Sequence, residues 1–425
     1  MVLIAPAPVP PAPPIPQDPA DPADPADLAR LAAALLASAR RPAPRDLLLP
    51  PGEQASAGGA GAAASASAPS LADLLVSGPV GLGTAASRVV APVAPAPPDA
   101  LGEPQRDEGG TELYCPPAVR DDVALGELTN EALVAWAGEV GIYPDQLDKV
   151  RAANFGRLMM LTHPACTDPD RLLAAAKCVL AEWATDDHFL DDESLGADAA
   201  AISSRLGITY AAIDPVDLPA AYAPQLQAAL DAEPVARAYQ SAFEHLGRFA
   251  TPTQVARLHH ELGIMFMAYS HEADWRRSGR TPPVWEYLTH RHENSFLPPM
   301  VLVDPLAGYE VPAHEFADRR VRRCFCLAGS ASVILNDLYS MAKESDADFD
   351  LPKVIAAEEH CSIPEAIERA VVVHNELMHT YEREAAALSA VGSPALTRFL
   401  TDVWAWLGGN REWHATTLRY QVPAT

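Results

Sequence analysis

Every aromatic residue of this 425-residue chain lies after position 113. Residues 1–113 contain no Phe, Trp or Tyr and hold about half of the 41 prolines. The rest of that stretch is mostly Ala, Ser and Gly, with a DPADPADPAD repeat. Such a segment cannot bury enough apolar surface to offset the entropy of ordering its backbone. The expectation is a disordered Pro/Ala-rich leader over residues 1–112, with at most transient helices at Asp27–Ala39 and Ser70–Val76. Folded structure is then confined to residues 113–425. The leader reads as dispensable; the other use for such a segment is as a tether or a docking strand.

The second region is long enough for one large core, and its pattern is helical almost throughout. Thr251-Pro-Thr-Gln254 reads as a capping box with proline at the first helical position. Ser362-Ile-Pro-Glu365 reads the same way and opens a long helix from Pro364 to about Val391. Leu172 to Asp187 carries apolar residues at helical spacing. Alternating stretches that would make strands are few. Gly207, Pro215, Pro298-Pro299, Pro312 and Pro352 break the region into roughly ten or more helices, and no solenoid-length repeat is present. The predicted fold class is all-α, a single-domain helical bundle behind the leader.

The formal net charge of −25 argues against a nucleic-acid partner and against an anionic membrane surface. No run of 18 apolar residues exists, and the start lacks the basic region of a signal peptide. The six cysteines form no CxxC pair and no zinc spacing, so they read as reduced core thiols of a cytoplasmic protein.

Two constellations carry chemistry. The first is Asp186-Asp187-His-Phe-Leu-Asp191-Asp192-Glu193. On a continuous α-helix, Asp187 and Asp191 are i,i+4 neighbours on one face, with Asp186 about 100° away. Like charges so placed destabilise a helix unless a cation compensates. Magnesium suits such a row, because it takes oxygen ligands, keeps waters and is completed by substrate phosphates. The alternative is a solvated acidic helix end, although Trp183 and Phe189 interleave with the acids and imply partial burial.

The second constellation is Asn336, Ser340 and Glu344, at i, i+4 and i+8. Their oxygens line one helical stripe and make a weakly charged chelate for a hard cation. Lys343 points to the same side, as it would if an anion sat beside the metal. An ordinary amphipathic helix is the alternative.

Together these features resemble class I terpene synthases. The family's DDxxxD motif matches Asp186, Asp187 and Asp191. Its NSE triad matches Asn336, Ser340 and Glu344, about 150 residues later. Arg291 stands where the family has a diphosphate-sensing arginine, and Arg419-Tyr420 matches its closing Arg-Tyr pair. Several stretches narrow the resemblance to 2-methylisoborneol synthases: Leu113 to Ala118, Asn154 to His163, Thr251 to Ala256, Arg291 to Pro299, and Trp404 to Trp413. The resemblance covers essentially all of residues 113–421. Asn294 and Ser295 depart from the Asp-Gly pair of many bacterial cyclases, and His188-Phe189-Leu190 is an altered motif interior.

The resemblance implies the α-helical terpenoid-synthase fold, a homodimer and magnesium, three ions in all. Asp186, Asp187 and Asp191 would hold one metal cluster, and Asn336, Ser340 and Glu344 another ion. Arg291, Lys343, Arg419 and Tyr420 would donate hydrogen bonds to the diphosphate. The implied reaction is cyclisation of (E)-2-methylgeranyl diphosphate to 2-methylisoborneol. Proton loss in place of water capture would give 2-methylenebornane, and a related cyclase would take geranyl or farnesyl diphosphate. Two or three of Phe189, Trp183, Phe266, Tyr269, Phe296, Trp404 and Trp413 are expected to face the cation.

Rival readings fit less well. A prenyl-chain elongating enzyme would carry a second aspartate-rich motif where this chain has Asn336, Ser340 and Glu344. A zinc peptidase would need the second histidine that His260-Glu261-Leu-Gly-Ile264 lacks. A non-catalytic helical interaction protein leaves the metal-suited stripe unexplained.

Overall fold

Thr251 and Ser362 start the two longest helices by the mechanism their sequences predict. Each side chain accepts from the backbone N–H three residues on, and Gln254 and Glu365 return the bond to the backbone N–H of the cap. The computed structural model describes residues 112–191, 195–341 and 348–417. The leader and its two short helical stretches lie outside the described residues, as do Lys343, Glu344, Arg419 and Tyr420.

In chain order the helices are α1 (Val123–Val140), α2 (Leu147–Ala153), α3 (Phe155–Thr162), α4 (Pro169–Asp186), α5 (Ile202–Ile213), α6 (Ala223–Ala232), α7 (Pro234–Leu246) and α8 (Pro252–Ser278). They continue as α9 (Val284–Glu293), α10 (Leu297–Met300), α11 (Val303–Leu306), α12 (Ala313–Phe316), α13 (Arg319–Ser340), α14 (Leu351–Glu359), α15 (Ile363–Ser389) and α16 (Pro394–Thr416). No strand occurs among the described residues, so the all-α expectation holds. Helix α4 begins three residues before the predicted start. Asp168 caps it by accepting from Asp170 N–H, and Pro169 sits where no backbone N–H is needed.

Helix α13 packs along α15, α16 and α9, while α4 packs against α1 and α7. Helix α16 lies unusually close to α3. A Cβ on Gly409 would sit 2.3 Å from the Leu161 carbonyl oxygen, so only glycine permits that approach. The approach seats a layer of aromatics from α3, α4, α16 and the turn before α10. Trp183 lies 4.8 Å from Phe155 and 5.7 Å from Phe296, and Phe296 lies 5.8 Å from Trp406, centroid to centroid. These tilted, offset contacts are the favoured aromatic geometries.

All six cysteines are free; four are buried, and Cys326 and Cys361 are half-buried. Among the described residues, no helix is long and apolar enough to cross a membrane.

His163, at the end of α3, is buried with no hydrogen-bond partner for either ring nitrogen. Burial pushes its pKa down to about 3. Between that value and the ordinary imidazole pKa of about 6.5, the unfolded chain binds a proton that the folded chain refuses. The neutral ring's contribution is therefore complete above pH ~6.5 and is lost as pH falls. His163→Leu is expected to move the acid-denaturation midpoint to lower pH, read by circular dichroism. An unchanged midpoint would mean that this ring does not limit acid stability.

Candidate active site

Helix α4 does not carry its aspartates in the way a continuous α-helix would. It ends at Asp186, and Asp187–Asp191 form one turn of π-helix. Hydrogen bonding from i to i+5 widens the turn, so residues five apart share a face. Asp186 and Asp191 accordingly both line one cavity. Asp187 does not line it; its Oδ2 accepts a hydrogen bond of 2.6 Å from the Tyr143 hydroxyl. The expected face-sharing of Asp187 with Asp191 is thus corrected. The cavity-facing pair is Asp186 and Asp191, because the widened turn shifts the register by one residue.

The cavity has a volume of about 200 Å³. Helix α4 contributes Glu182, Trp183 and Asp186; α8 contributes Met265, Tyr269, Glu272 and Arg276. Arg291 of α9, the Asn294–Phe296 turn, and Val333, Asn336 and Ser340 of α13 complete most of the wall. Of the seven aromatics considered from sequence, Trp183, Tyr269 and Phe296 line it. Trp413 packs behind Trp183, Phe266 lies against Tyr239, and Trp404 stacks on Tyr381. Phe189 is fully buried beneath the Arg205 guanidinium.

Charge at the mouth is arranged around two arginines. Arg276 Nη2 lies 2.8 Å from Asp191, 2.7 Å from Glu272 and 3.4 Å from Asp348. Burial pushes the pKa of Asp186 well above the carboxylate range, and repulsion from Asp191 and Glu272 adds to it. Burial raises Asp191 to about 6 against the opposing pull of Arg276. Burial alone would raise Glu272 too, but the His290 hydrogen bond and the charges of Arg276 and Arg291 hold it at about 2. Two neighbouring carboxyls that resist ionisation gain from a cation placed between them.

Arg291 is seated from behind. Its Nη2 donates to Asp337 Oδ1 at 2.6 Å and to Asn336 Oδ1 at 3.3 Å. Buried Asp337 in turn accepts from the Tyr287 hydroxyl at 3.0 Å and from Leu351 N–H at 3.1 Å. The Asn336 amide is held by His414, 3.0 Å from its Nδ2. His414 Nδ1 lies 2.8 Å from the Asn410 carbonyl, which can only accept. In a neutral ring, Nε2 is then the acceptor, so Asn336 donates through Nδ2 and turns its oxygen to Arg291.

Asn336 and Ser340 therefore share the expected stripe, one turn apart at the end of α13. Ser340 Oγ is buried with no hydrogen-bond partner. The helix as described ends at Ser340, and Glu344 and Lys343 fall outside the described residues. Among the described residues, no group of three or more His, Cys, Asp or Glu forms a closed metal cage. Two carboxyls, an amide oxygen and an orphaned hydroxyl instead make an open, oxygen-only donor set, which fits magnesium that keeps its waters and binds phosphate oxygens.

Sequence reasoning missed Glu182, Glu272, Arg276, Asp337 and His414. A signal was available for two of them. Met265, Tyr269, Glu272 and Arg276 recur at helical spacing, an apolar stripe that turns charged at one end. Asp337 and His414 act from behind the wall, and no local pattern marks that.

Residues 177–380 match the family model described as terpene synthase family 2, C-terminal metal binding. The 2-methylisoborneol synthase of Streptomyces ambofaciens is 37% identical over 363 residues, which span 82% of this chain and 81% of that protein. The corresponding synthase of Saccharopolyspora erythraea is 38% identical over 325 residues, 74% of this chain and 91% of the relative. The crystal structure of the Streptomyces coelicolor 2-methylisoborneol synthase, in complex with Mg2+ and 2-fluoroneryl diphosphate, aligns with a TM-score of 0.70 at 37% identity. That alignment covers 73% of this chain and 97% of the other. The chain belongs to the class I terpene synthases, in their 2-methylisoborneol synthase branch.

Proposed function

We propose that the chain ionises (E)-2-methylgeranyl diphosphate with magnesium, cyclises the resulting cation to 2-methylisoborneol and releases diphosphate. The observation that carries the reading is one cavity lined by Asp186, Asp191, Asn336 and Ser340 together with Trp183, Tyr269 and Phe296. The close relatives named for this product, and the Mg2+ and substrate-analogue complex of one of them, support the choice of metal and substrate class.

Asp186 and Asp191 hold metal on one rim, and Asn336, Ser340 and Glu344 hold it on the other. When bound, magnesium supplies Lewis-acid neutralisation of the diphosphate as it leaves. Arg291 binds the same anion through a guanidinium already oriented by Asp337. Lys343, Arg419 and Tyr420 add donors from segments beyond the described residues. Trp183, Tyr269 and Phe296 shield the cation from water and attract it through their ring faces, by about 0.5–2 kcal/mol each.

Gas chromatography–mass spectrometry of products from geranyl, 2-methylgeranyl and farnesyl diphosphates tests the reading. A bicyclic C11 alcohol formed preferentially from the methylated substrate is expected. A preferred C10 or C15 product would keep the cyclase and overturn the substrate.

The same reading takes residues 113–425 as the catalytic domain and residues 1–112 as a dispensable leader. Deleting residues 1–110 is expected to leave kcat/KM within about twofold, and loss of turnover would overturn that division. The chain is further read as a cytoplasmic homodimer. Six free thiols support the reducing compartment, and the family resemblance supports the dimer. Sedimentation analysis of the purified chain checks the assembly.

A further inference from the structure

Among the cavity-lining groups that the metal chemistry does not use is a buried carboxyl, Glu182. Glu182 lies on α4 one helical turn before Asp186, on the side away from the π-turn, and lines the same cavity. Its side chain is 4% exposed, and its Oε1 is buried with no hydrogen-bond partner. The same wall carries Trp183, Met265 and Tyr269, which offer apolar and ring surface. An ionised carboxylate there would trap the cation as an ester or strip its proton. Burial works against this, because it pushes the Glu182 pKa well above the carboxylate range and favours the neutral group. A neutral carboxyl with an oxygen left unsatisfied, in a cavity whose wall also carries the Tyr269 hydroxyl and the unpartnered Ser295 Oγ, is a hydrogen-bonding seat for one water.

We infer that Glu182 holds the water that ends the reaction and so decides between alcohol and hydrocarbon. The inference rests on the proposed cyclisation. The unpartnered carboxyl oxygen accepts one O–H of the water, which leaves a lone pair directed at the cation. The water oxygen forms the new C–O bond to the tertiary cationic carbon. One O–H bond of the resulting oxonium then breaks, and its proton passes to the diphosphate released in the ionisation step. Without a seated water, the cation loses a proton from a neighbouring carbon to the same diphosphate and leaves as an olefin.

The test compares the full-length wild type with Glu182→Gln and Glu182→Met, using magnesium and 2-methylgeranyl diphosphate. The readout is the ratio of C11 alcohol to C11 hydrocarbons, which does not depend on how much of each variant is folded. Glu182→Gln keeps a neutral carbonyl acceptor and is expected to retain the wild-type ratio. Glu182→Met, of similar size and without an acceptor, is expected to shift the ratio toward hydrocarbons by about tenfold, the effect of one lost hydrogen bond. Alcohol from the wild type with an unchanged ratio in Glu182→Met overturns this inference alone. Loss of alcohol in Glu182→Gln as well also overturns it, since an ionised base would then be required. A wild type that forms no C11 alcohol overturns the functional reading and the inference with it. Should Glu182→Met yield no folded protein, Glu182→Leu gives the same comparison.

Discussion

Asp186→Asn is expected to lower turnover by roughly 10²–10³-fold, the range seen when one preorganised electrostatic contact to the reacting charge is removed. Asp187→Asn, one residue on, is expected to lower it by less than about tenfold, the lower end of what an outer-shell partner contributes. The contrast follows from the π-turn. Asp186 and Asp191 line the cavity, whereas Asp187 accepts a hydrogen bond from Tyr143 outside it. Asparagine keeps the shape and removes the charge, so both variants should fold. Asp186→Asn should even be slightly more stable without metal, because a carboxyl that burial holds away from ionisation has been replaced by a neutral amide. Titration of Mn2+ in the presence of inorganic diphosphate, followed by electron paramagnetic resonance, gives a readout independent of turnover. Equal losses at both positions would mean that the aspartates act as the α-helical pattern of the sequence suggests, not as the π-turn arranges them.

The second large effect is expected at Arg291. Arg291→Lys should lower kcat/KM by about 10–10²-fold and raise the inhibition constant of inorganic diphosphate in parallel. A lysine keeps the charge but cannot bridge Asp337 and a diphosphate oxygen with a planar fork. Arg291→Ala is a worse probe. It leaves Asp337 buried without its cation, which in comparable cases destabilises by about 3–5 kcal/mol. A diphosphate inhibition constant unchanged in Arg291→Lys would remove this residue from the anion site and leave it a purely structural partner of Asp337.

Much of this protein was legible before any coordinates. The capping boxes at Thr251 and Ser362 marked the starts of α8 and α15 to within a residue or two. Those signals are local, made by side chains bonding to backbone a few residues away, so sequence carries them whole. The spacing of Asn336 and Ser340 was likewise readable, because both lie on one regular helix. The geometry of the aspartate motif differs from the α-helical reading, because residues 187–191 form a π-turn. A π-turn needs the surrounding packing to hold it, here with Asp187 tied to Tyr143, Arg205 bonded to the His188 carbonyl and Phe189 buried beneath it. Nothing in the order of residues 186–191 encodes those distant partners.

Tertiary structure alone selected Trp183, Tyr269 and Phe296 from seven equivalent-looking aromatics, since which face of a helix meets a cavity depends on how neighbouring helices cross. It also brought Glu182, Glu272 and Arg276 to one wall, and placed Asp337 and His414 behind Arg291 and Asn336. Sequence determined which residues have the chemistry to bind a metal and a diphosphate. Packing decided which of their atoms face one another, because that is set by contacts between residues far apart in the chain, as between Asn336 and His414 or Asp191 and Arg276.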